Sequence, residues 1–308
     1  MEFRNLLSFL RAAELGNFTQ AAQELGYVQS AITTHIQQLE AEIGVPLFER
    51  IGRKNILTPY GQQLLTYANQ AMQLEENILS IKQHDPSDIQ GTIRIGSVES
   101  IMSSLLLDVI QRYRMRYPKV DVKIRLAITE PLFDMLRHNS VDVIFTIGSQ
   151  LDTLDCVRVY SHPEEAVFIA APHHPLSKRS SIPVEEILEY PIIVTGENSF
   201  LQQKLNELAL QYGIHPDYPI QTESSRLIID LIRQNLGISF LPLYMVRRTV
   251  LKGTVRILPV VGYSLPFFTN VFYHKNKWIT PQMQGLLDLV KWQWEENDVL
   301  GSGGPDDI

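Results

Sequence analysis

Cysteine is almost missing: Cys156 is the single one among 308 residues. One cysteine excludes an intramolecular disulfide framework and the usual multi-cysteine zinc sites, and it fits a reducing cytoplasm. Cys156 reads as a small buried hydrophobe rather than a redox sensor. Long apolar runs are missing as well, since none approaches 18 residues. The opening "MEFRNLLSFLRAAELG" is interrupted by Arg4, Arg11 and Glu14, so it reads as neither a signal peptide nor a spanning helix. Catalytic signatures are absent too: there is no G-x-S-x-G, G-x-x-x-x-G-K, G-x-G-x-x-G or H-E-x-x-H. His173-His174-Pro175 is the most suggestive cluster, but adjacent histidines on extended chain point apart, so no metal or cofactor is expected. Basic charge is scarce, with 27 Lys and Arg against 34 Asp and Glu and a formal net charge of -7. By itself that balance argues mildly against a nucleic-acid partner.

What is present is organised. Apolar residues at 44% and charged residues at 20% are those of a globular chain, long enough for about two domains. Phe3, Leu6, Leu7 and Leu10 give one helical face, and Ala21, Ala22 and Leu25 give a second. Ile32, Ile36, Leu39 and Ile43 give a third, and Gly16 and Gly26 punctuate the three. From Thr58-Pro59 a long helix is predicted as far as His84-Asp85-Pro86, with apolar residues near heptad spacing. Such a stripe suits packing against a second copy of the chain through Leu64, Leu65, Ala68, Met72, Ile78 and Leu79, or against the rest of its own chain. "HDPSDIQG" reads as a linker. After it, short β-rich stretches such as "TIRIG", "VDVKIRL", "VDVIFTIG", "PIIVT" and "GISFLP" alternate with helical spacing over 100–116, 130–138, 199–211 and 224–235. Alternation of this kind predicts parallel sheets covered by helices. The tail "GSGGPDDI" reads as disordered.

One long string is specific enough to carry a family resemblance: "GNFTQAAQELGYVQSAITTHIQQLEAEIGVPLFERIGRKNILTPYG". Alanines at 21 and 22, "VQSAIT", "LE" at 39 and 40, "GVPLFER" and "LTPYG" stand at the spacing of the LysR-type transcriptional regulators, so residues 1–66 resemble that family's winged helix-turn-helix. The resemblance continues more weakly through "TIRIG", "VDVIFTIG" and "NLGISFLP". It implies an α/β fold class with three parts: a winged helix-turn-helix over 1–58, a linker and dimerisation helix over 59–88, and a two-lobed effector domain over 92–296, like a periplasmic binding protein. Lobe I would take about 92–161 and 268–296, lobe II about 162–267, with crossovers near 160–164 and 263–268 and a disordered tail at 297–308.

The stretch 18–40 that should enter DNA holds no Lys or Arg. Uncharged side chains can nevertheless read base edges: Gln pairs with adenine, while Ser and Thr hydroxyls and the Thr methyl serve several bases. Gln29, Ser30, Thr33, Thr34 and Gln37 lie opposite Ile32, Ile36 and Leu39 and are the candidate readers. Phosphate contacts would come from the predicted wing, where Arg50, Arg53 and Lys54 concentrate the positive charge of residues 1–60. The resemblance implies that Arg53 reaches into a minor groove. Thr34 departs from the family, which usually has arginine there, so its base preference is expected to be its own.

Hydroxyls also mark the ends of the predicted strands: Ser97 to Ser100, Thr129, Thr195, and Ser224 with Ser225. Ligands of open α/β sheets bind at such ends, and hydroxyls beside helix N-termini suit a carboxylate or another small anion. The same residue types also serve as plain helix caps. Ser97, Ser100, Thr129, Thr195 and Ser225 are the candidate effector contacts, of which Ser100, Thr129 and Thr195 stand where the family commonly makes them. The expected protein is thus no enzyme but a cytoplasmic, effector-responsive regulator. Its expected partners are a pseudo-palindromic operator, a second copy or a dimer of dimers, and RNA polymerase. A cytoplasmic solute-binding protein with an accessory helical domain, and an enzyme built on the α/β part, are the competing readings.

Overall fold

The computed structural model describes residues 1–51, 54–80, 89–149, 154–196 and 199–300. The chain divides into two compact units, Met1–Asp85 with Arg137–Ser140, and Pro86–Leu136 with Val141–Ile308.

The first unit packs α1 (Phe3–Leu15), α2 (Phe18–Leu25) and α3 (Gln29–Ile43) around Leu6, Phe9, Ala21, Ile32 and Leu39, all of them buried. Asn17 starts α2 by accepting from the backbone N–H groups of Thr19 and Gln20, and Gly26 ends it at φ +69°, a conformation costly for any residue with a Cβ. Next comes a two-stranded antiparallel wing, β1 (Phe48–Ile51) and β2 (Lys54–Leu57), with Arg50 opposite Asn55. Helix α4 (Pro59–Ser80) follows. The string "LTPYG" is its start signal. The Thr58 hydroxyl accepts from the Gly61 N–H and donates to the Pro46 carbonyl, and Pro59 needs no partner in a first turn. Position 61 lies so close to the Leu47 carbonyl that a Cβ would come within 2.1 Å of its oxygen, which leaves room only for glycine. The expected continuation of α4 over 81–86 lies outside the described residues.

The second unit is two α/β lobes. In lobe I, β3 (Gly91–Ser97), β4 (Val120–Leu126), β5 (Val143–Gly148), β6 (Cys156–Glu164) and β14 (Phe267–His274) form one sheet in the order β4-β3-β5-β14-β6. Between β3 and β4 run α5 (Glu99–Ile101), a π-helical segment (Met102–Leu106) and α6 (Leu107–Arg116), and α7 (Thr129–Arg137) precedes β5. In lobe II, β7 (Ala166–Ala170), β9 (Ile192–Thr195), β10 (Gln221–Thr222), β11 (Ile238–Pro242) and β12 (Arg256–Ile257) pair in the order β10-β9-β11-β7-β12. A small parallel pair joins β8 (Ile182–Pro183) to β13 (Val260–Val261). Lobe II also holds α8 (Val184–Leu188), α9 (Phe200–Gln211), α10 (Ser225–Arg233) and α11 (Leu243–Leu251), while α12 (Pro281–Leu300) closes the described chain.

The sheets are mixed rather than parallel. β3 runs parallel to β4 and β5, but β14 is antiparallel to both β5 and β6, and β7 is antiparallel to β11 and β12. The reason is connectivity: the chain leaves lobe I directly from β6 into β7 and returns directly into β14, with no crossover helix to restore direction. These passages put Phe267 beside Glu164. A buried ion pair pins the outer part of lobe I, with Lys277 Nζ 2.6 Å from Asp142 Oδ1 and the Arg94 N–H donating to Asp142 Oδ2.

Candidate nucleic-acid interface and ligand cleft

Helix α3 is held by its inner face and presents its outer one. Ile32, Ile36 and Leu39 are buried, the His35 imidazole Nδ1 lies 2.7 Å from the Ser8 hydroxyl, and the Asn5 amide donates to Gln38. Glu40 accepts from the Leu47 and Phe48 N–H groups, which fixes the approach to the wing and explains "LE" at 39 and 40. Of the candidate readers, Gln29, Ser30, Thr34 and Gln37 are exposed and Thr33 is half-buried. The Thr33 and Thr34 hydroxyls donate back to the Gln29 and Ser30 carbonyls, at 3.1 and 3.0 Å. Their donors are therefore engaged, which leaves methyl groups and oxygen lone pairs for an outside partner. At the start of α3 no side chain caps the helix, because Val28 holds the capping position; the Ala31 N–H bonds the Val28 carbonyl, and no side chain competes with an anion for the N–H groups ahead of it. On the wing, Arg50 is exposed on β1. Lys54 contributes its backbone to β2, its side chain lying outside the described residues, and Arg53 lies outside them altogether.

Three of the six residues expected to hold a second copy point elsewhere. Ala68 is 1% exposed within the core of the first unit, and Leu64 and Leu65 pack onto that core. Because α4 lies against α1, its apolar surface is split between an inner face and an outer one. Met72 is half-buried, and the Leu79 side chain lies outside the described residues. The outward face is Tyr60, Tyr67, Leu74 and Ile78, the last three 58, 60 and 59% exposed. Its spacing of 7, 7 and 4 is the heptad period; Ile78 is among the residues expected there, whereas Tyr60, Tyr67 and Leu74 are not.

In the second unit, residues of both lobes enclose a cavity of about 800 Å3, within the range of small-molecule sites. Ser100, Thr129, Thr195 and Ser225 line it. Ser97 does not: it is fully buried on β3 and donates to the Val98 carbonyl, because the last residue of an interior strand faces the core. Thr129 at the start of α7 donates to the Ile147 carbonyl on β5, and Thr195 donates to the Ser199 hydroxyl, which in turn caps α9. Ser224 caps α10.

The lobes are bridged by two consecutive residues. Glu99 accepts from the Ser225 N–H at 3.0 Å, and the Ser100 hydroxyl meets the Tyr244 hydroxyl at 3.1 Å. Burial pushes the Tyr244 phenol well above its ordinary pKa, so it stays neutral, and the Ser100 contact only partly opposes this. Sequence reasoning, which looks for hydroxyls at strand ends, misses Glu99, Glu130 and Glu223 on the cavity wall. It also misses Asn270, which accepts from Ser161 and donates to the Ser149 carbonyl. The paired histidines serve a turn, His174 Nδ1 accepting from the Leu176 N–H. Burial lowers the His174 pKa, and His173 adds to the effect. Among the described residues no His, Cys, Asp and Glu cluster could hold a metal ion, and no helix is long and apolar enough to cross a membrane.

Comparison with known proteins gives the same two parts. The family described as "Bacterial regulatory helix-turn-helix protein, lysR family" matches residues 3–62, and "LysR substrate binding domain" matches residues 86–295. The chain is 28% identical to the HTH-type transcriptional regulator YwqM of Bacillus subtilis strain 168, over 94% of this chain and 99% of that one. It is 26% identical to the HTH-type transcriptional activator CmpR of a Synechocystis strain, over 92% of each. Among solved structures, a full-length OxyR variant from Pseudomonas aeruginosa superposes with a TM-score of 0.74 at 20% identity, covering 94% of this chain and 95% of that one. Full-length CbnR complexed with its target DNA superposes with a TM-score of 0.65 at 20% identity, covering 95% and 100%.

Proposed function

The chain belongs to the LysR family of transcriptional regulators, and from that premise we propose how its own residues divide the work. It is a DNA-binding, effector-binding regulator and not an enzyme. In this division residues 1–58 bind DNA, 59–88 hold a second copy, and 92–296 sense a small molecule. Gln29, Ser30, Thr33, Thr34 and Gln37 read bases in a major groove. The open N-terminus of α3 and the wing residues Arg50, Arg53 and Lys54 hold phosphates. The observation that carries this reading is the face of α3: exposed, polar, uncharged, and headed by uncapped N–H groups.

Two copies joined through Tyr60, Tyr67, Leu74 and Ile78 would place two α3 helices about a two-fold axis, so the operator is pseudo-palindromic, read by a dimer or a dimer of dimers. A small molecule in the cleft changes the relation of the lobes, and through the oligomer the presentation of DNA to RNA polymerase. Such a protein works in the cytoplasm.

Fluorescence anisotropy with duplex DNA from upstream of the protein's own gene tests this. Binding should weaken steeply with salt. Gln37→Ala should lose about 1–3 kcal/mol of discrimination at one base position, leaving the salt slope unchanged. Absence of salt-dependent binding to that DNA would sink the reading.

A further inference from the structure

Resting on the cleft as the effector site, we infer that the effector carries a cationic group, an amine or a related nitrogen cation, on an apolar body. The first observation is the charge of the wall. Among the described residues that line the cavity, Glu99, Glu130 and Glu223 are the only charged ones, and none is Lys, Arg or His. Arg226, next along the chain from Ser225, is exposed and is not part of the lining. A carboxylate brought into this space would meet only charges of its own sign, whereas an ammonium would meet opposite ones.

A second observation is independent of that count. An anion entering an α/β cleft is held by helix N-termini, and lobe II turns two of them toward the cavity, those of α9 and α10. At each of them the chain itself already engages part of the first-turn N–H groups. Ser199 accepts from the Gln202 N–H at the start of α9, Ser224 accepts from the Leu227 N–H at the start of α10, and Glu99 reaches across from lobe I to the Ser225 N–H at 3.0 Å. Glu99 thus already places a carboxylate at the start of α10, where an incoming anion would have to compete with it. The remainder of the wall, with Phe133, Phe200, Met245 and Phe272, suits a hydrocarbon or aromatic body and offers ring faces to a cation. The anion expected from the hydroxyls alone is replaced by its opposite.

Matched probes test the sign of the charge. The full-length chain is heated with 2-phenylethylamine, phenylacetate or 2-phenylethanol, and with hexylamine, hexanoate or hexanol, at equal millimolar concentrations. A ligand that binds only the folded state raises Tm. The expected result is stabilisation by amines and none by carboxylates, with apparent affinity for the amine falling about tenfold in Glu99→Gln and in Glu223→Gln, the loss of one charge-assisted contact. In Glu99→Gln the new amide oxygen can still accept from the Ser225 N–H, and Glu223 is exposed, so neither variant should lose its fold. Stabilisation by the carboxylates would overturn the inference while keeping the cleft as effector site. A panel in which no amine raises Tm would overturn it as well. DNA binding measured on the same preparation shows whether the regulatory reading stands apart from either result.

Discussion

Thr34 shows how much of a proposed DNA contact can be read at the level of one side chain. Its hydroxyl donates to the Ser30 carbonyl at 3.0 Å, so what faces outward is a methyl group with an oxygen that can still accept. That surface matches a thymine methyl or an exocyclic amine of a base, and not a guanine, whose major-groove edge offers only acceptors. Thr34→Val should therefore retain most of the affinity, within about 0.5 kcal/mol if the methyl carries the contact, whereas Thr34→Ala should lose about 1 kcal/mol. Thr34→Arg should steepen the salt dependence by about one phosphate. Anisotropy titrations at several salt concentrations check all three, and equal losses for Val and Ala would assign the contact to the hydroxyl instead. That these residues share the outer polar face of α3 was legible from polarity opposite an apolar period. The direction of their hydroxyls was not, because it depends on backbone carbonyls one turn back. Glu99 was illegible for another reason: its partner, the Ser225 N–H, is 126 residues away in sequence.

Helix α4 shows the same limit one level up. Its start was legible from Thr58-Pro59, since Pro59 suits a first turn and Thr58 caps the Gly61 N–H; the close approach of the Leu47 carbonyl that requires glycine at 61 was not. Its faces were not, because heptad spacing says that residues share a side without saying which side another helix has already covered. Contact with α1 decides that, and it takes Ala68 inward while leaving Tyr67 outward. Neighbouring positions should consequently respond in opposite ways. Tyr67→Glu should keep the melting temperature of the first unit but weaken self-association at least about tenfold, read by analytical ultracentrifugation. Ala68→Glu should cost about 3 kcal/mol or more of stability, through a charge forced into a packed core. Association unchanged in Tyr67→Glu would remove the outer face from the dimer. The strands show a comparable split: "TIRIG" and "GISFLP" were readable as short apolar strands, whereas β14, "FFTNVFYH", gave no hint that it would run against its neighbours.

For the molecule as a whole, phenols set the alkaline limit. Burial pushes Tyr218 and Tyr263 up to about 12, each from an ordinary value of 10.0, with Glu165 adding to the rise at Tyr263. Tyr113 and Tyr244 are raised further, also chiefly by burial. A folded pKa above the unfolded one means that the stabilisation is full below pH 10 and is lost as pH rises through the folded values. Melting temperature should accordingly hold steady to about pH 10 and fall between about pH 10 and 12, with the phenolate absorbance of these residues emerging only as the chain unfolds. Simple titration of every tyrosine near pH 10 with the fold intact would contradict this.

The hydrogen bonds that Glu99 and Ser100 make across the lobes have a bearing on dose. A receptor whose binding-competent arrangement is populated to a fraction f shows an apparent dissociation constant larger than the intrinsic one by 1/f. Hydrogen bonds that hold the walls in the arrangement a ligand binds would raise f before any ligand arrives. The concentration at which a gene begins to respond is then set partly by residues such as Tyr244, which lies outside the cavity lining. Sensitivity can in this way drift between related regulators while the recognised molecule stays the same.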